Sequence, residues 1–345
     1  MKVAVVFDTP NPGWEDEDFK KEVEAQIPEE EYEVGEALIE NGHEVLLVGV
    51  YDDLHHMVVR LREFVPDLVF NCAETFLGND DLDYVFPALL EAEGYRYTGA
   101  SPLPMLLTRD KALSKEVLAQ HGVRVPDFVT YRPGEEVLDA PPIEFPLIVK
   151  PARQDSSEGI AATSVVRDLE ALAGRVEFIH GRFGQAAIAE QFLEGRELYV
   201  GILGNEDDLE ILPHTELVFD KELNKPEERI ATKYAKWNLA YRERRKIKSQ
   251  FARPLSKVAK ERLDETARIS FRALHLRDYA RLDVRLAPDD EVWVMEANCN
   301  PYISFGHEMA NAAEKYGMDY YEFVERLVRV ALARYEPRPA KASGQ

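Results

Sequence analysis

Arg281-Leu-Asp-Val-Arg-Leu286, then Pro288-Asp-Asp290, then Val292-Trp-Val-Met-Glu-Ala-Asn298 decides how this chain is read. Two alternating runs stand either side of a turn sequence, the signature of a β-hairpin. Along a strand, residues i and i+2 share a face, so Glu296 and Asn298 point the same way. If the hairpin closes about Pro288-Asp-Asp, Asp283 lies beside them. Three hard oxygen donors with no His or Cys among them suit Mg²⁺ rather than Zn²⁺. Arg281, on the Asp283 face, adds a fixed cation. The plainer reading is a hairpin whose charges face solvent. Against it, Glu296 sits in Trp293-Val-Met-Glu-Ala297, a run otherwise fit for burial.

The 345 residues imply about two domains, or three small ones, and 45% apolar content is enough for a sizeable core. The net charge of −22 disfavours bulk binding to nucleic acid or anionic membranes. Cys72 and Cys299, far apart, make neither a disulfide framework nor a thiolate zinc site. Val3–Phe7 is too short for a signal peptide, and no stretch approaches the ~20 apolar residues of a membrane span. A cytoplasmic protein is the expectation. The charge is uneven. Residues 1–40 hold 13 acidic and 3 basic side chains, whereas residues 220–262 hold 14 basic and 6 acidic. That basic segment reads either as a solvated loop or as a cradle for a polyanion.

From the N-terminus, Lys2–Asp8, His43–Val50 and Asp67–Asn71 read as strands, with helices over Glu30–Glu40, Asp52–Phe64 and Asp81–Glu93. Such alternation predicts a parallel α/β sheet. From Arg109 the pattern becomes α+β: a helix Arg109–His121, strands at Asp127–Tyr131, Phe145–Lys150 and Ile160–Val166, a helix from Asp168, then strands Ala186–Phe192 and Leu198–Leu203. A third block predicts a strand Leu209–Phe219, the basic segment, a helix Leu255–Leu274, the hairpin and a helix Tyr320–Arg334. The expected units are 1–105, 106–192 and 193–335, with a disordered tail 336–345. No Gly-x-Gly-x-x-Gly follows the first strand, and there is no P-loop, His-Glu-x-x-His or Gly-x-Ser-x-Gly.

Two further segments carry chemistry. Phe145-Pro-Leu-Ile-Val-Lys150 ends an apolar strand in a lysine, which asks for an anion, and Asp155-Ser-Ser-Glu-Gly159 could close over phosphates or be a plain polar turn. Ala187-Ile-Ala-Glu190-Gln-Phe-Leu-Glu-Gly-Arg-Glu197 offers apolar walls, backbone groups and carboxylates of the kind an adenosine needs, or is a hairpin and no more.

The order Lys111, Lys150 with its serine loop, Glu190 to Glu197, Lys233, Arg281-x-Asp283 and Glu296-x-Asn298 resembles the ATP-grasp superfamily. Within it the chain is similar to the D-alanine–D-alanine ligase family, on Asn71-x-Ala-Glu74, Pro87-Ala-Leu-Leu-Glu91, Tyr97-Thr-Gly99, Asp110-Lys111, Phe145–Pro151, Arg281–Val284 and Glu296-Ala-Asn298, over roughly residues 1–335. The resemblance implies an ATP-grasp fold after an N-terminal Rossmann-like domain. It also implies an ATP- and Mg²⁺-dependent carboxylate–amine ligase working through an acyl phosphate. Lys111 and Lys150 would bind the α- and β-phosphates, Glu190, Phe192 and Leu193 would meet adenine, and Glu197 ribose. Asp283, Glu296 and Asn298 would hold two Mg²⁺ ions, with Mn²⁺ as a substitute. Lys233 would touch the γ-phosphate, Ser156 would lie over the triphosphate, and Tyr234 and Arg281 would complete the catalytic set. The implied partners are amino-acid-like carboxylate and amine substrates, with a homodimer expected from the resemblance alone. Alternatives are a ligase of the same fold making a specialised product, or a nucleotide-binding protein without catalysis.

The resemblance breaks at the substrate end. Tyr302 stands where the family has an oxyanion-hole glycine, His307 falls near its acceptor-binding serine, and Asp155 replaces a glycine. The family's Gly-Gly-x-Ser-x-Glu start is replaced by the acidic run Thr9–Asp18, whose Glu15 could stand in for the family's glutamate or be solvated. That acidity suggests a cationic substrate.

Overall fold

The computed structural model describes residues 1–14, 19–154, 157–206 and 208–336. Ser156, Asp155, Glu15–Asp18 and nearly all of the 336–345 tail lie outside the described residues.

The first unit is β1 (Lys2–Asp8), a short α1 (Lys20–Glu24), α2 (Glu30–Glu40), β2 (Glu44–Val50), α3 (Leu54–Phe64), β3 (Leu68–Asn71) and α4 (Val85–Glu93). The strands are parallel in the order β2-β1-β3. Asp53 starts α3 by accepting from the His55 and His56 N–H groups, and Gly94, at φ +77°, ends α4 in the left-handed conformation that glycine adopts freely. The helix expected over Asp81–Glu93 is divided. Asn79 caps a 3₁₀ turn at Asp80–Leu82, and the α-helix starts only at Val85.

An unexpected helix follows, α5 (Pro102–Arg109), before α6 (Lys111–Gln120). Pro102 suits the first helical position, where its missing N–H is no loss. The helix expected from Arg109 therefore begins at Lys111, with Asp110 capping the Ala112 and Leu113 N–H groups. Strands β4 (Phe128–Tyr131), β5 (Leu147–Pro151), β6 (Val165–Val166) and β7 (Ala187–Gln191), with α7 (Leu169–Phe183), form the second sheet. It is antiparallel in the order β4-β7-β5-β6. The strand expected over Ile160–Val166 shrinks to two residues because Ala162–Ser164 coils into a 3₁₀ turn closed by Ser164 Oγ on the Ala161 N–H.

The third unit comprises β8 (Arg196–Asn205), β9 (Asp208–Ile211), β10 (Thr215–Val218), α8 (Lys233–Trp237), α9 (Leu239–Arg245), β11 (Lys248–Phe251), α10 (Lys257–Ala273), β12 (Asp278–Leu286), β13 (Val292–Asn298), α11 (Glu308–Tyr316) and α12 (Tyr320–Ala333). The sheet order is β11-β10-β8-β12-β13, with β9 beside β8. The single strand expected over Leu209–Phe219 is broken at Pro213-His214 into β9 and β10, which both pair with β8. The basic segment, read as a loop or cradle, folds into α8, α9 and edge strand β11.

Packing crosses the chain order. Met105, Leu118 and Val123, on and just after α5 and α6, join the core of the third sheet. Helices α11 and α12 pack Met309, Phe323, Leu327 and Val328 against Val3, Val34, Leu38 and Phe70 of the first unit. Each such fully buried side chain stabilises the fold by roughly 1.5–3 kcal/mol. The buried Asp278 carboxylate ties the same regions, accepting from the Gly99 N–H at 2.8 Å and from Arg334 Nε at 2.8 Å. Cys299, buried, and Cys72, half-buried, form no disulfide. Among the described residues no helix is long and apolar enough to cross a membrane.

Candidate active site

The hairpin forms, and its register holds a detail on which the site depends. Near the turn, Leu286 faces Val292, Arg285 faces Trp293 and Val284 faces Val294. Then the register shifts by one residue, and Asp283 faces Glu296, Leu282 faces Ala297 and Arg281 faces Asn298. Met295 is the extra residue of a β-bulge. Had the first register continued, Asp283 would face Met295, and Glu296 would stand opposite core residue Leu282. A one-residue slip sends side chains to the other face of a sheet. The bulge is thus what brings Glu296 and Asn298 to the face of Asp283 and Arg281.

On that face Arg281 Nε lies 2.7 Å from Asp283 Oδ1, and Asn298 Nδ2 lies 3.3 Å from the same oxygen. Lys236 Nζ is 3.5 Å from Asp283 Oδ2. Arg281 and Lys236 each sit 5.4 Å from the centre of the Tyr199 ring on β8, which holds both cations by its π-face. Lys111 Nζ lies 2.9 Å from Glu296 Oε1 and donates to the Gln154 carbonyl at 2.6 Å. Burial opposes the charge on Glu296, but Lys111, Lys150 and Lys236 outweigh it and hold the carboxyl at about 2. Burial likewise opposes the Arg281 charge, and Asp283 reverses it, raising the guanidinium above its ordinary range.

Below the face lies a buried ionic chain. Glu190, 0% exposed, is 3.0 Å from Lys150 Nζ and 2.9 Å from Lys115 Nζ, whose side chain is 1% exposed. Burial works against the Glu190 charge, but the two lysines lower its carboxyl below the usual range. Phe192 and Leu193 are half-buried in the connector from β7 to β8, with the Phe192 N–H on the Pro146 carbonyl at 3.0 Å. Gly195 closes this connector. A Cβ there would stand 2.4 Å from the Leu286 carbonyl oxygen. Glu197 on β8 pairs with Arg285 on β12 at 2.6 Å.

The polar face opens into a cleft of about 1120 Å³ lined by Arg281, Asp283, Glu296, Asn298, Lys236 and Tyr302, among others. Tyr302 packs edge-on against His307 with ring centres 4.8 Å apart, and His307 also meets Trp237 at 5.7 Å. Among the described residues no three His, Cys, Asp or Glu gather as a metal cluster. The donor set is two carboxylates and an amide, which fits Mg²⁺, an ion that completes its shell with water and substrate phosphates.

Of the residues singled out from the sequence, Arg281, Asp283, Glu296, Asn298 and Lys111 converge on one face, with Lys150 and Glu190 beneath and Glu197 on the adjoining strand. Lys233 and Tyr234 do not join them. Lys233 pairs with Glu158 at 2.6 Å, Tyr234 meets Tyr241 at 5.9 Å, and both line a second hollow of about 620 Å³. Ser156 lies outside the described residues. Lys115, Lys236, Tyr199 and Arg285 went unread. Lys115 is four residues after Lys111, hence on the same helix face, and Arg285 is two after Asp283 on one strand face. Those spacings were available signals.

A family model for the D-ala D-ala ligase C-terminus matches residues 117–329. The chain is 33% identical over 307 residues to the uncharacterised protein y4sG of Sinorhizobium fredii, covering 87% of this chain and 86% of that one. It is 27% identical over 295 residues to a D-alanine–D-alanine ligase of Aquifex aeolicus, covering 86% and 92%. The chain belongs to the D-alanine–D-alanine ligase family. A crystal structure of D-alanine–D-alanine ligase from Bacillus anthracis complexed with ATP shares the fold, with a TM-score of 0.71 at 19% identity over 97% of this chain and 98% of that one. As a member of the D-alanine–D-alanine ligase family, the chain is an ATP-dependent, amide-forming ligase with the ATP-grasp fold.

Proposed function

We propose that this ligase joins the carboxylate of one amino-acid-like substrate to the amine of a second, with Asp283, Glu296 and Asn298 as the Mg²⁺ ligands. The observation that carries this reading is the single polar face on which Asp283 opposes Glu296, with Asn298, Arg281, Lys111 and Lys236 around them. When bound, Mg²⁺ (two ions, or Mn²⁺ in their place) supplies charge neutralisation for phosphoryl transfer.

The substrate carboxylate is a poor electrophile. One of its oxygens bonds to the γ-phosphorus of ATP as the bond to ADP breaks, giving an acyl phosphate. The amine nitrogen then attacks the acyl carbon, the carbon–oxygen bond breaks, phosphate leaves and the nitrogen sheds a proton. Lys111 and Lys150 serve the α- and β-phosphates, Glu197 the ribose, and the connector at Phe192-Leu193 the adenine. Glu190 acts through Lys150, which it orients. Lys233, Tyr234 and Ser156 complete the catalytic set at the triphosphate, and Arg281 stabilises the oxyanion. In this reading the nucleotide lies between the units 106–192 and 193–335, in a cytoplasmic enzyme that works as a homodimer.

The substrates themselves are read from the cleft. Glu74 lines the cleft, and its charge is felt by Glu30 and Glu31, the latter also feeling Asp8. Desolvation, then Glu29, Asp8 and Glu74, raise the Glu31 carboxyl to about 7 against its own backbone hydrogen bond. Desolvation and Glu74 raise Glu30 as well. Such crowding favours a substrate with a second positive charge, in keeping with the acidic Thr9–Asp18 run. Phosphate release from ATP over a panel of acidic, neutral and basic amino acids, with product masses read directly, tests the whole reading. Release with no pair of substrates would leave a nucleotide-binding protein, and neutral pairs outpacing basic ones would remove the cationic preference.

A further inference from the structure

Lys115 has no part in the reaction as written above, yet it is among the most deeply buried charges in the chain. Its Nζ donates to the Met295 carbonyl at 2.6 Å and lies 2.9 Å from Glu190 Oε1. Met295 is the residue left without a partner by the register shift between β12 and β13. A bulged residue drops out of the ladder, and a buried carbonyl without a donor is costly. Lys115 supplies that donor as a cation, the stronger kind of hydrogen bond. The ammonium is itself held by Glu190 of the second sheet, which Lys150 shares. Burial lowers Lys115 to about 8, against Glu190 and Glu296, which favour its charge, so at neutral pH it is largely the cation this geometry needs.

We propose that Lys115 is a positioning residue for the metal site: by holding the Met295 carbonyl it fixes the bulge that turns Glu296 and Asn298 onto the face of Asp283. Helix α6 then serves the site at two levels. Lys111 touches Glu296 itself, and Lys115, one turn later, sets the backbone that aims it. The second link, Lys115 to Glu190, fastens the metal-bearing strand to the sheet that carries Lys150. The proposal rests on the reading of Asp283, Glu296 and Asn298 as metal ligands.

The test compares Lys115→Met, similar in volume but uncharged, and Lys115→Arg, which keeps the charge and moves the donor. Calorimetry measures ADP binding in EDTA and in Mg²⁺, and the Mg²⁺ concentration for half-maximal turnover is read at saturating ATP. For Lys115→Met the expected result is an ADP affinity in EDTA close to wild type, loss of most of the Mg²⁺-dependent gain, and a metal requirement raised about 10-fold or more, the size typical of losing a partner behind a metal ligand. Lys115→Arg shows a smaller loss of the same kind. A wild-type metal requirement in the methionine variant overturns the proposal, as does an equal loss of ADP affinity with and without metal, which would make Lys115 a support of the nucleotide pocket. Should the methionine variant not fold, the arginine variant decides alone, and a wild-type metal requirement there overturns the proposal. If the wild-type protein gains no ADP affinity from Mg²⁺, the metal-site reading fails first and carries this one with it.

Discussion

Arg281 and Asp283 lie two residues apart on one strand and 2.7 Å apart at their charges, so this cation is fixed before any substrate arrives. Preorganised charge of this kind is worth most in the transition state, so Arg281→Met should lower kcat by about 10²–10³ with little change in the KM for ATP. Steady-state kinetics with ATP and amine varied separately check this, and a change confined to KM would reassign Arg281 to ground-state binding. Glu296 gives a prediction in acid. Its carboxyl lies at about 2 in the folded chain, below its unfolded value. Its contribution to stability is therefore complete above the ordinary carboxylate range and drains away as pH falls from about 4.5 toward 2. Over that window Glu296→Gln should lose less stability than the wild type, measured as urea midpoints at several pH values. Much of this residue set was legible, because a period of two shows which side chains share a strand face. The bulge at Met295 was not. Nothing in Trp293-Val-Met-Glu-Ala297 announces an extra residue, since the lysine that holds it comes from a helix 180 positions earlier.

Caps and glycines make some element ends legible, as at Asp53, Gly94 and Asp168, but not all: α8, α9 and α11 carry Thr232, Asn238 and Gly317 at their ends and still escape the sequence reading. The prolines at 102 and 104 hid α5, though a first-turn proline is compatible with a helix. In the basic segment charge was read but structure was not. Helix α8 spans only five residues and takes its stability from packing, and its lysines diverge. Lys236, 17% exposed, faces Asp283, whereas Lys233, 60% exposed, faces Glu158. An exposed ion pair adds little to stability, about 0–1 kcal/mol, and is screened by salt. Glu158→Gln should thus leave the melting temperature nearly unchanged and reduce the salt dependence of the KM for ATP. Lys236→Met should instead lower kcat, because a poorly solvated cation beside Asp283 has no cheap substitute. Melting curves and kinetics from low to high salt separate the two, and matching behaviour of both variants would show that α8 acts as a unit.

At the scale of the molecule, chain order and packing order differ, which the sequence could not express because periodicity reveals that a face is apolar but not what covers it. The parallel sheet at the N-terminus is closed by helices from the C-terminus. Leu327 of α12 is fully buried in the cluster that contains Val3, Leu38 and Phe70. The Arg334–Asp278–Gly99 link runs alongside, and Ile303 and Phe305, just beyond β13, donate their N–H groups to Glu30 and Glu33 on α2 at 2.6 and 2.8 Å. The first unit cannot then lose its structure without uncovering α12 and releasing the segment that leaves the active site. Leu327→Ala removes a fully buried side chain from this junction and should cost about 2–5 kcal/mol. Because the junction is shared, that loss should appear as one cooperative transition moved to lower urea, with far-ultraviolet dichroism and Trp293 fluorescence still coincident, measured with the other two tryptophans replaced by phenylalanine. Trp293 reports on the hairpin and dichroism on the whole chain. A variant in which the helical signal falls first while Trp293 stays native would mean that the N-terminal sheet and the catalytic sheet are stable apart, and that α12 belongs energetically to only one of them.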